Sequence, residues 1–247
     1  MHKHRALTSL CVVSALFLAG CGSGDDDGDA GGTTAPPSGG VTTTATGAAT
    51  TTTPAKDPAK AAKAAAAVFQ ASDFPAGFAP QPEDEGLGLD AIWSDLTGCM
   101  GVDTAADRAG TATSATFLRG LATQARSTVE YTTPSSSAAV ATALAGPKFQ
   151  QCATDAFAAD VKRSAPEGGV PGPVEIAPLD VPTPGPKISA YRVNVTINLQ
   201  ELQVPLFQDF LVVFDGEALV RMLFLNPGSA FPPELQKTLV DKVVARA

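Results

Sequence analysis

The stretch AYRVNVTINLQELQVPLFQDFLVVFDGEALVRMLFL, residues 190–225, decides the fold class of this chain. Residues 191–199 alternate apolar and polar side chains, which is the pattern of a strand with one buried face. Residues 207–214 are more evenly apolar, as in a central strand that is covered on both faces. Asp215 and Gly216 are a strong hairpin signal, and residues 219–225 form the returning strand. The stretch therefore predicts an antiparallel meander of three strands.

The rest of the folded part mixes helical and strand patterns without regular βαβ alternation. Helices are predicted at 60–71, at 89–100, from Thr133-Pro134 to 144, at 149–157 and from Pro232-Pro233 to 243; strands are predicted at 115–119, at 125–132 and, at most, one short strand at 174–179. This mixture predicts a single α+β domain, residues 58–247, in which helices pack on an antiparallel β-sheet.

The N-terminus has the three parts of a lipoprotein signal peptide, residues 1–20. A basic start precedes an apolar run at 10–18, which is too short to span a bilayer as a helix. Leu18-Ala19-Gly20-Cys21 resembles the lipobox of bacterial lipoproteins, which predicts cleavage before Cys21 and acylation of its thiol. The alternative is an ordinary signal peptide followed by an accidental cysteine. The predicted location is the extracytoplasmic face of the cell membrane, with a lipid anchor of the palmitate type.

Residues 21–57 are rich in Gly, Thr, Pro and Asp and contain almost no large apolar side chain. Such a segment cannot bury enough surface to offset its conformational entropy, so it is predicted to be a disordered tether. The whole chain has a formal net charge of −8 at pH 7. An acidic chain without a basic patch offers no electrostatic footprint for nucleic acid, so no nucleic-acid partner is expected.

Two cysteines, Cys99 and Cys152, remain once Cys11 leaves with the signal peptide and Cys21 is assigned to the lipid. A pair of cysteines in an exported domain predicts a disulfide. The alternative, a dithiol redox site, lacks the close Cys-x-x-Cys spacing.

No catalytic, metal or cofactor site is predicted. Both histidines lie in the signal peptide, which removes Ser-His-Asp and Cys-His nucleophilic sites and His-ligated zinc from the mature chain. Glu83, Asp84 and Glu85 crowd three carboxylates together, but they read as a solvated Pro-rich loop rather than a catalytic pair. The chain is therefore expected not to be an enzyme.

Phe74, Phe78 and Trp93 are the candidate ligand-binding residues. Phe74 and Phe78 belong to the turn DFPAGF, residues 73–78, and Trp93 is the only tryptophan. Together they could line an apolar cleft between helix and sheet. The alternative, which we favour, is that they fill the core beside Cys99.

The order of these features resembles the extracytoplasmic sensor domain of actinobacterial PknH-type serine/threonine kinases, across residues 66–247. The likeness rests on DFPAGF, a helix ending at Cys99, STVEYTTPSSSAAVATALAGPKFQQC, YRVNVTINL and FQDFLVVFDGEALVRMLF. It implies an antiparallel sheet with packed helices, a ligand-binding cleft, and a family disulfide at Cys99 and Cys152. A second disulfide of the family is missing, and no kinase is attached, so sensing would need a separate membrane partner.

Three functions are compatible with these features. The first is a membrane-anchored lipoprotein whose non-catalytic sensor-like domain binds a small-molecule ligand or an envelope protein. The second is a lipid or glycolipid carrier of the cell envelope, which requires a cavity of several hundred Å³. The third, less favoured, is a serine hydrolase that works without histidine.

Overall fold

Antiparallel pairing joins the strands of the described chain into one sheet. The computed structural model describes residues 56–81, 88–120, 122–182 and 185–247, which all lie in one compact unit. The helices are α1 (Pro58–Ala67), α2 (Leu89–Met100), α3 (Pro134–Leu144), α4 (Phe149–Ser164) and α5 (Pro233–Arg246). The strands are β1 (Phe78–Gln81), β2 (Gly110–Thr113), β3 (Thr116–Arg119), β4 (Thr123–Tyr131), β5 (Gly169–Pro171), β6 (Glu175–Pro178), β7 (Lys187–Leu199), β8 (Leu202–Asp215) and β9 (Ala218–Pro227).

The predicted meander forms the long central part of this sheet. The strands of the whole sheet run in the order β1-β3-β4-β9-β8-β7-β5. Asp215 pairs with Ala218 across a two-residue turn, and Gly216 in that turn has φ +58°, a value that glycine adopts without strain. Phe210 pairs with Leu223, which sets the register of β8 against β9. The predicted α+β class with an antiparallel sheet is confirmed.

Three short strands, β1, β2 and β5, were not predicted. β2 and β3 both pair with β4, at its C-terminal and N-terminal parts respectively. β5 and β6 share the outer edge of β7 in the same way. Segments of three or four residues, such as GTAT at 110–113, are too short to display an alternating pattern, and long neighbouring strands supply their hydrogen-bond partners.

Helices cover both faces of the sheet and create two large cores, beside a small third cluster of Val161, Val195 and Ile197. Alternate residues of β8 point to opposite faces: Leu211 and Val213 join one core, and Phe210 and Val212 join the other. We call the first the α5 face, because α1 and α5 pack on it, and the second the α2 face, which α2, α3 and α4 cover. A strand buried on both faces explains the evenly apolar sequence of 207–214.

The helix boundaries follow local capping chemistry. The Thr133 side chain accepts a hydrogen bond from the Ser136 N–H at the start of α3, as the Thr-Pro signal predicts. The first helix is shorter than the predicted 60–71. It begins at Pro58, with Asp57 as its N-cap, and ends at Ala67 because Val68 is extended with ψ 167°. The Phe69 N–H then donates to the Ser127 hydroxyl at 2.8 Å, which anchors the chain to the sheet.

Candidate ligand-binding site

The structure does not bring the three predicted aromatic residues into one cleft. Phe74 stacks on Phe117 at 4.3 Å between ring centroids and lies 5.0 Å from Phe78, on the α5 face. Trp93 belongs to the core of the α2 face, 6.4 Å from Phe210. A cleft shared by Phe74, Phe78 and Trp93 is therefore wrong, because the sheet separates the first two from the third.

The predicted disulfide is confirmed. Cys99 near the end of α2 and Cys152 in the first turn of α4 are bonded, with their Cα atoms 5.6 Å apart. Cys152 lies on the inward side of α4, as its helical spacing predicts. The bond fixes α2 against α4, and α2 is the helix that carries Trp93.

A pocket of about 790 Å³ opens between α2 and the sheet. Its walls are one side of α2, the segment 102–108 that follows it, and the face of β2, β4 and β9 that points toward α2. Its lining includes three arginines, Arg108, Arg126 and Arg221, and we call it the arginine pocket. Known small-molecule sites enclose roughly 300–1,000 Å³, so this pocket has the volume of a metabolite site.

Arg221 lines the pocket and is almost fully buried. It lies in β9 between Leu219 and Leu223, on the α2 face, with 3% of its surface exposed. Its guanidinium carbon is 4.9 Å from the centre of the Trp93 ring, a cation–π arrangement. Burial lowers the pKa of Arg221, and the charge of Arg108 acts in the same direction, whereas those of Asp90 and Glu130 oppose the change.

Glu130 lies behind the arginines and is fully buried. One of its carboxylate oxygens is 3.1 Å from Nε of Arg108 and 3.6 Å from Nη2 of Arg221. Neither Glu130 oxygen has a partner with hydrogen-bond geometry. Register explains the cluster: Thr128 pairs with Arg221 across β4 and β9, and Thr111 of β2 pairs with Glu130. The strands thus bury the opposite charges of Glu130 and Arg221 close together, but the two side chains form no hydrogen bond with each other.

The exposed rim of the pocket contains two carboxylates, Asp90 and Asp103, which accept hydrogen bonds, unlike the buried Glu130. Asp90 accepts hydrogen bonds at 3.3 Å from the hydroxyls of Thr113 and Thr128, and it lies 3.6 Å from Arg221. Asp103 accepts a hydrogen bond from the Ala105 N–H at 2.8 Å. In contrast, two buried donors in residues that line the pocket lack hydrogen-bond partners: Nε1 of Trp93 and Nε of Arg221.

Sequence reasoning identified Trp93 but missed the charged residues around it. Two signals were present. Arg126, Thr128 and Glu130 recur at every second position of β4, opposite Ala125, Val129 and Tyr131, which indicates a polar stripe on one face of a strand. Arg221 interrupts an otherwise apolar strand. A buried strand that retains an arginine indicates a paired or functional charge.

Several of the other features predicted from the sequence lie outside the residues that the structure describes. Cys21, the signal peptide and the carboxylates Glu83, Asp84 and Glu85 lie outside the described residues. Among the described residues, no group of three or more His, Cys, Asp and Glu side chains could hold a metal ion. No helix in the described ranges is long and apolar enough to cross a membrane. No protein-family model matches the chain, and neither a curated protein nor a solved structure matches it.

Proposed function

We propose that this protein is a membrane-anchored extracytoplasmic lipoprotein whose domain binds a small molecule in the arginine pocket without chemically changing it. The observation that carries the binding function is the pocket itself, which has a volume of about 790 Å³. Its wall contains Arg221, which is only 3% exposed, and the buried Nε of Arg221 and Nε1 of Trp93 have no hydrogen-bond partner. Buried polar groups are normally hydrogen-bonded, so such a cluster indicates a missing partner.

The anchor and the location in this proposal rest on the sequence. The lipobox at residues 18–21, the Gly/Thr/Pro/Asp-rich tether at 21–57 and the acidic charge support a domain held outside the cytoplasmic membrane by a lipid on Cys21. The likeness to the PknH-type sensor domain supports ligand recognition as the role of the domain. Replacing Cys21 by Ser tests the anchor directly. We expect the variant to move from the membrane fraction to the soluble fraction and to lose radiolabelled palmitate; retention in the membrane with its label would contradict the anchor.

Native mass spectrometry of the chain purified from an exporting bacterial host tests ligand binding. We expect a mass difference from the denatured chain that identifies the ligand. The Arg221→Lys variant should reduce the occupied fraction, whereas Arg119→Gln should not, because Arg119 is exposed and its guanidinium packs on the Phe78 ring, away from the pocket. Equal native and denatured masses, together with no small molecule recovered from a lysate, would contradict small-molecule binding and favour an envelope-protein partner.

A lipid or glycolipid carrier is the second candidate. The volume of the pocket favours it, since several hundred Å³ can hold part of an amphiphile. The charged lining favours a polar headgroup over an alkyl chain. A bound lipid in the same mass spectra would select this function over a water-soluble ligand.

A further inference from the structure

We propose that the ligand of the arginine pocket carries an oxyanion, a carboxylate or phosphate group, which accepts hydrogen bonds from Arg221 and Trp93. This inference rests on the proposed function, because it specifies the chemistry of a ligand in the same pocket. Two alternatives are a neutral ligand and a purely structural cluster in which the arginines serve only to balance Glu130.

Two donors in the lining of the pocket have no acceptor in hydrogen-bond geometry. Nε1 of Trp93 and Nε of Arg221 belong to side chains that are about 4% and 3% exposed, and neither nitrogen has a hydrogen-bond partner. Both residues line the pocket. Indole and guanidinium nitrogens are donors only, so a group that satisfies both must supply acceptor oxygens. A carboxylate or phosphate does so, and its hydrogen bonds to a charged donor are among the strongest in proteins.

The local charge favours an anion as well. Arg108 and Arg221 line the pocket, and the single carboxylate of Glu130 lies against both guanidinium groups. The two carboxylates of the lining lie toward solvent: the Asp90 side chain is 52% exposed, and Asp103 is exposed. Solvent and salt screen exposed charges much more than buried ones. In the interior, two guanidinium charges, those of Arg108 and Arg221, therefore share one carboxylate.

The rest of the pocket indicates that the oxyanion belongs to a larger molecule. Beyond the arginines, the α2 wall offers Ser94, Thr97 and Gly98. A methyl group at Gly98 would meet no atom within 4 Å, so this wall leaves open space. An isolated inorganic anion would fill only a small part of about 790 Å³. The expected ligand combines an anionic group at Arg221 with a neutral, partly polar body along α2.

Trp93 is the only tryptophan of the chain, so its fluorescence reports on this pocket alone. The experiment uses the chain with Cys21→Ser, so that no lipid anchor brings the protein to vesicles. Citrate and inorganic phosphate are titrated at constant ionic strength, with glucose as the neutral control. Vesicles of phosphatidylglycerol are compared with vesicles of phosphatidylcholine. We expect a saturable change in Trp93 emission with citrate or phosphate, or with phosphatidylglycerol vesicles alone if the oxyanion belongs to a lipid headgroup.

Variants separate a binding role from a structural one. Arg221→Lys keeps the charge but loses the planar donor fork, and it should weaken anion affinity about tenfold, the loss of one good charged hydrogen bond. Arg108→Gln leaves Glu130 to pair with Arg221 alone, so it should also weaken anion affinity, by removing positive charge from the pocket. Arg119→Gln is the matched control and should bind as the parent chain does. Circular dichroism verifies that each variant is folded.

Two results would overturn the proposal, and they differ in what they mean for the proposed function. If no anion gives a saturable signal and native mass spectrometry identifies a neutral ligand, the oxyanion is wrong and small-molecule binding stands. If neither experiment detects any ligand, the proposed function fails as well, and the cluster of Arg108, Glu130 and Arg221 is structural.

Discussion

On the α5 face, the buried carboxylates of Asp73 and Asp209 accept hydrogen bonds between 2.7 and 3.0 Å from Arg246, Arg192 and neighbouring amides. On the α2 face, Arg221 and Glu130 lie 3.6 Å apart, and both keep polar atoms without hydrogen bonds. Charged side chains are thus buried on both faces of one sheet. The carboxylates on the α5 face accept hydrogen bonds from their partners, whereas Glu130 on the α2 face accepts none.

This difference separates a face whose buried charges are satisfied within the protein from the face on which we propose that a ligand binds. A satisfied ion pair holds α5 to the rest of the domain, whereas an unsatisfied one costs stability unless another molecule completes it. The disulfide lies on the second face, where it fixes α2 and α4 beside the pocket. We expect the covalent bond to compensate for weaker polar contacts there.

The largest expected effect is therefore the removal of the disulfide. The bonded cysteines are 53 residues apart, and in the chain-entropy model a loop of this length contributes about 4 kcal/mol to the free energy of unfolding. Urea unfolding of the Cys99→Ser, Cys152→Ser variant should show a loss of this size, and reduction of the parent chain should reproduce it. A loss below about 1 kcal/mol would mean that packing alone holds α2 and α4.

Next in size is the ion pair on the opposite face. Arg246 donates two hydrogen bonds to Asp73 and others to the carbonyls of Ala67 and Val68, which close the end of α1. Arg246→Met leaves the buried Asp73 carboxylate with the Gln70 N–H and with Lys242 at 3.9 Å, and should cost about 3 kcal/mol.

The control for Arg246 lies in the same helix. Lys237 pairs with Asp241 at 2.6 Å, but both side chains are more than 40% exposed, so Lys237→Met should cost under about 0.5 kcal/mol. Similar losses for Lys237→Met and Arg246→Met in urea unfolding would show that burial does not distinguish the two pairs.

A smaller effect is expected at the start of α2. A Cβ atom at Gly88 would lie 2.1 Å from the Asp160 Oδ1 atom, so Gly88→Ala should cost about 2 kcal/mol through overpacking. Gly98→Ala in the same helix meets no atom within 4 Å and should instead stabilise the protein by up to about 1 kcal/mol. Thermal unfolding of the two variants distinguishes them, and equal shifts in Tm would contradict the close contact.

The smallest effect is a contrast in pH dependence. Desolvation alone would raise the pKa of Asp73, but hydrogen bonds from Arg246 and the Gln70 N–H, with the charges of Arg246 and Lys242, lower it. Desolvation raises the pKa of Asp160, and Arg163 only partly offsets this. Asp73 thus contributes stability that is present above its unfolded pKa, near about 3.9, and is lost as the pH falls through its lower folded value. Ionised Asp160 destabilises the folded state at high pH, because the folded state binds the Asp160 proton more tightly than the unfolded state does. This destabilisation is lost as the pH falls below the unfolded pKa.

Urea unfolding of two variants between pH 3 and pH 7 measures this contrast. Asp73→Asn should be less stable than the parent chain at pH 7, and the difference should shrink as the pH falls. Asp160→Asn should be more stable than the parent chain at pH 7, and its advantage should disappear below about pH 4. Two variants with the same sign at pH 7 would refute the opposite directions of the two pKa changes.

Sequence patterns predicted the sheet well because long strands carry a strong signal. The alternation at 191–199 and the Asp-Gly hairpin fix strand register locally, and two cysteines in the domain leave one pairing. The aromatic residues were harder, because a helical stripe shows that Trp93 is buried but not which face of the sheet it packs on. Phe74 and Phe78 are near Trp93 in the sequence, yet they pack in the opposite core.

Local sequence patterns could not predict the arginine pocket, for a related reason. Glu130 and Arg221 are 91 positions apart in number, and only the pairing of β4 with β9 brings them together. Single strands indicate that each charge is buried, but the distance between charges depends on strand register. The donors that lack partners are visible only when every neighbour is known.

The contact between α1 and α5 sets an order of events for folding. Arg246 reaches Asp73 across 173 positions of sequence, and the Tyr131 hydroxyl donates to the carbonyl of Ala247. An isolated helix as short as α1, with ten residues, is not stable in water. Among the described helices, α1 is synthesised first and α5 last, so the hydrogen bonds that close the end of α1 form only after residue 246 has been synthesised.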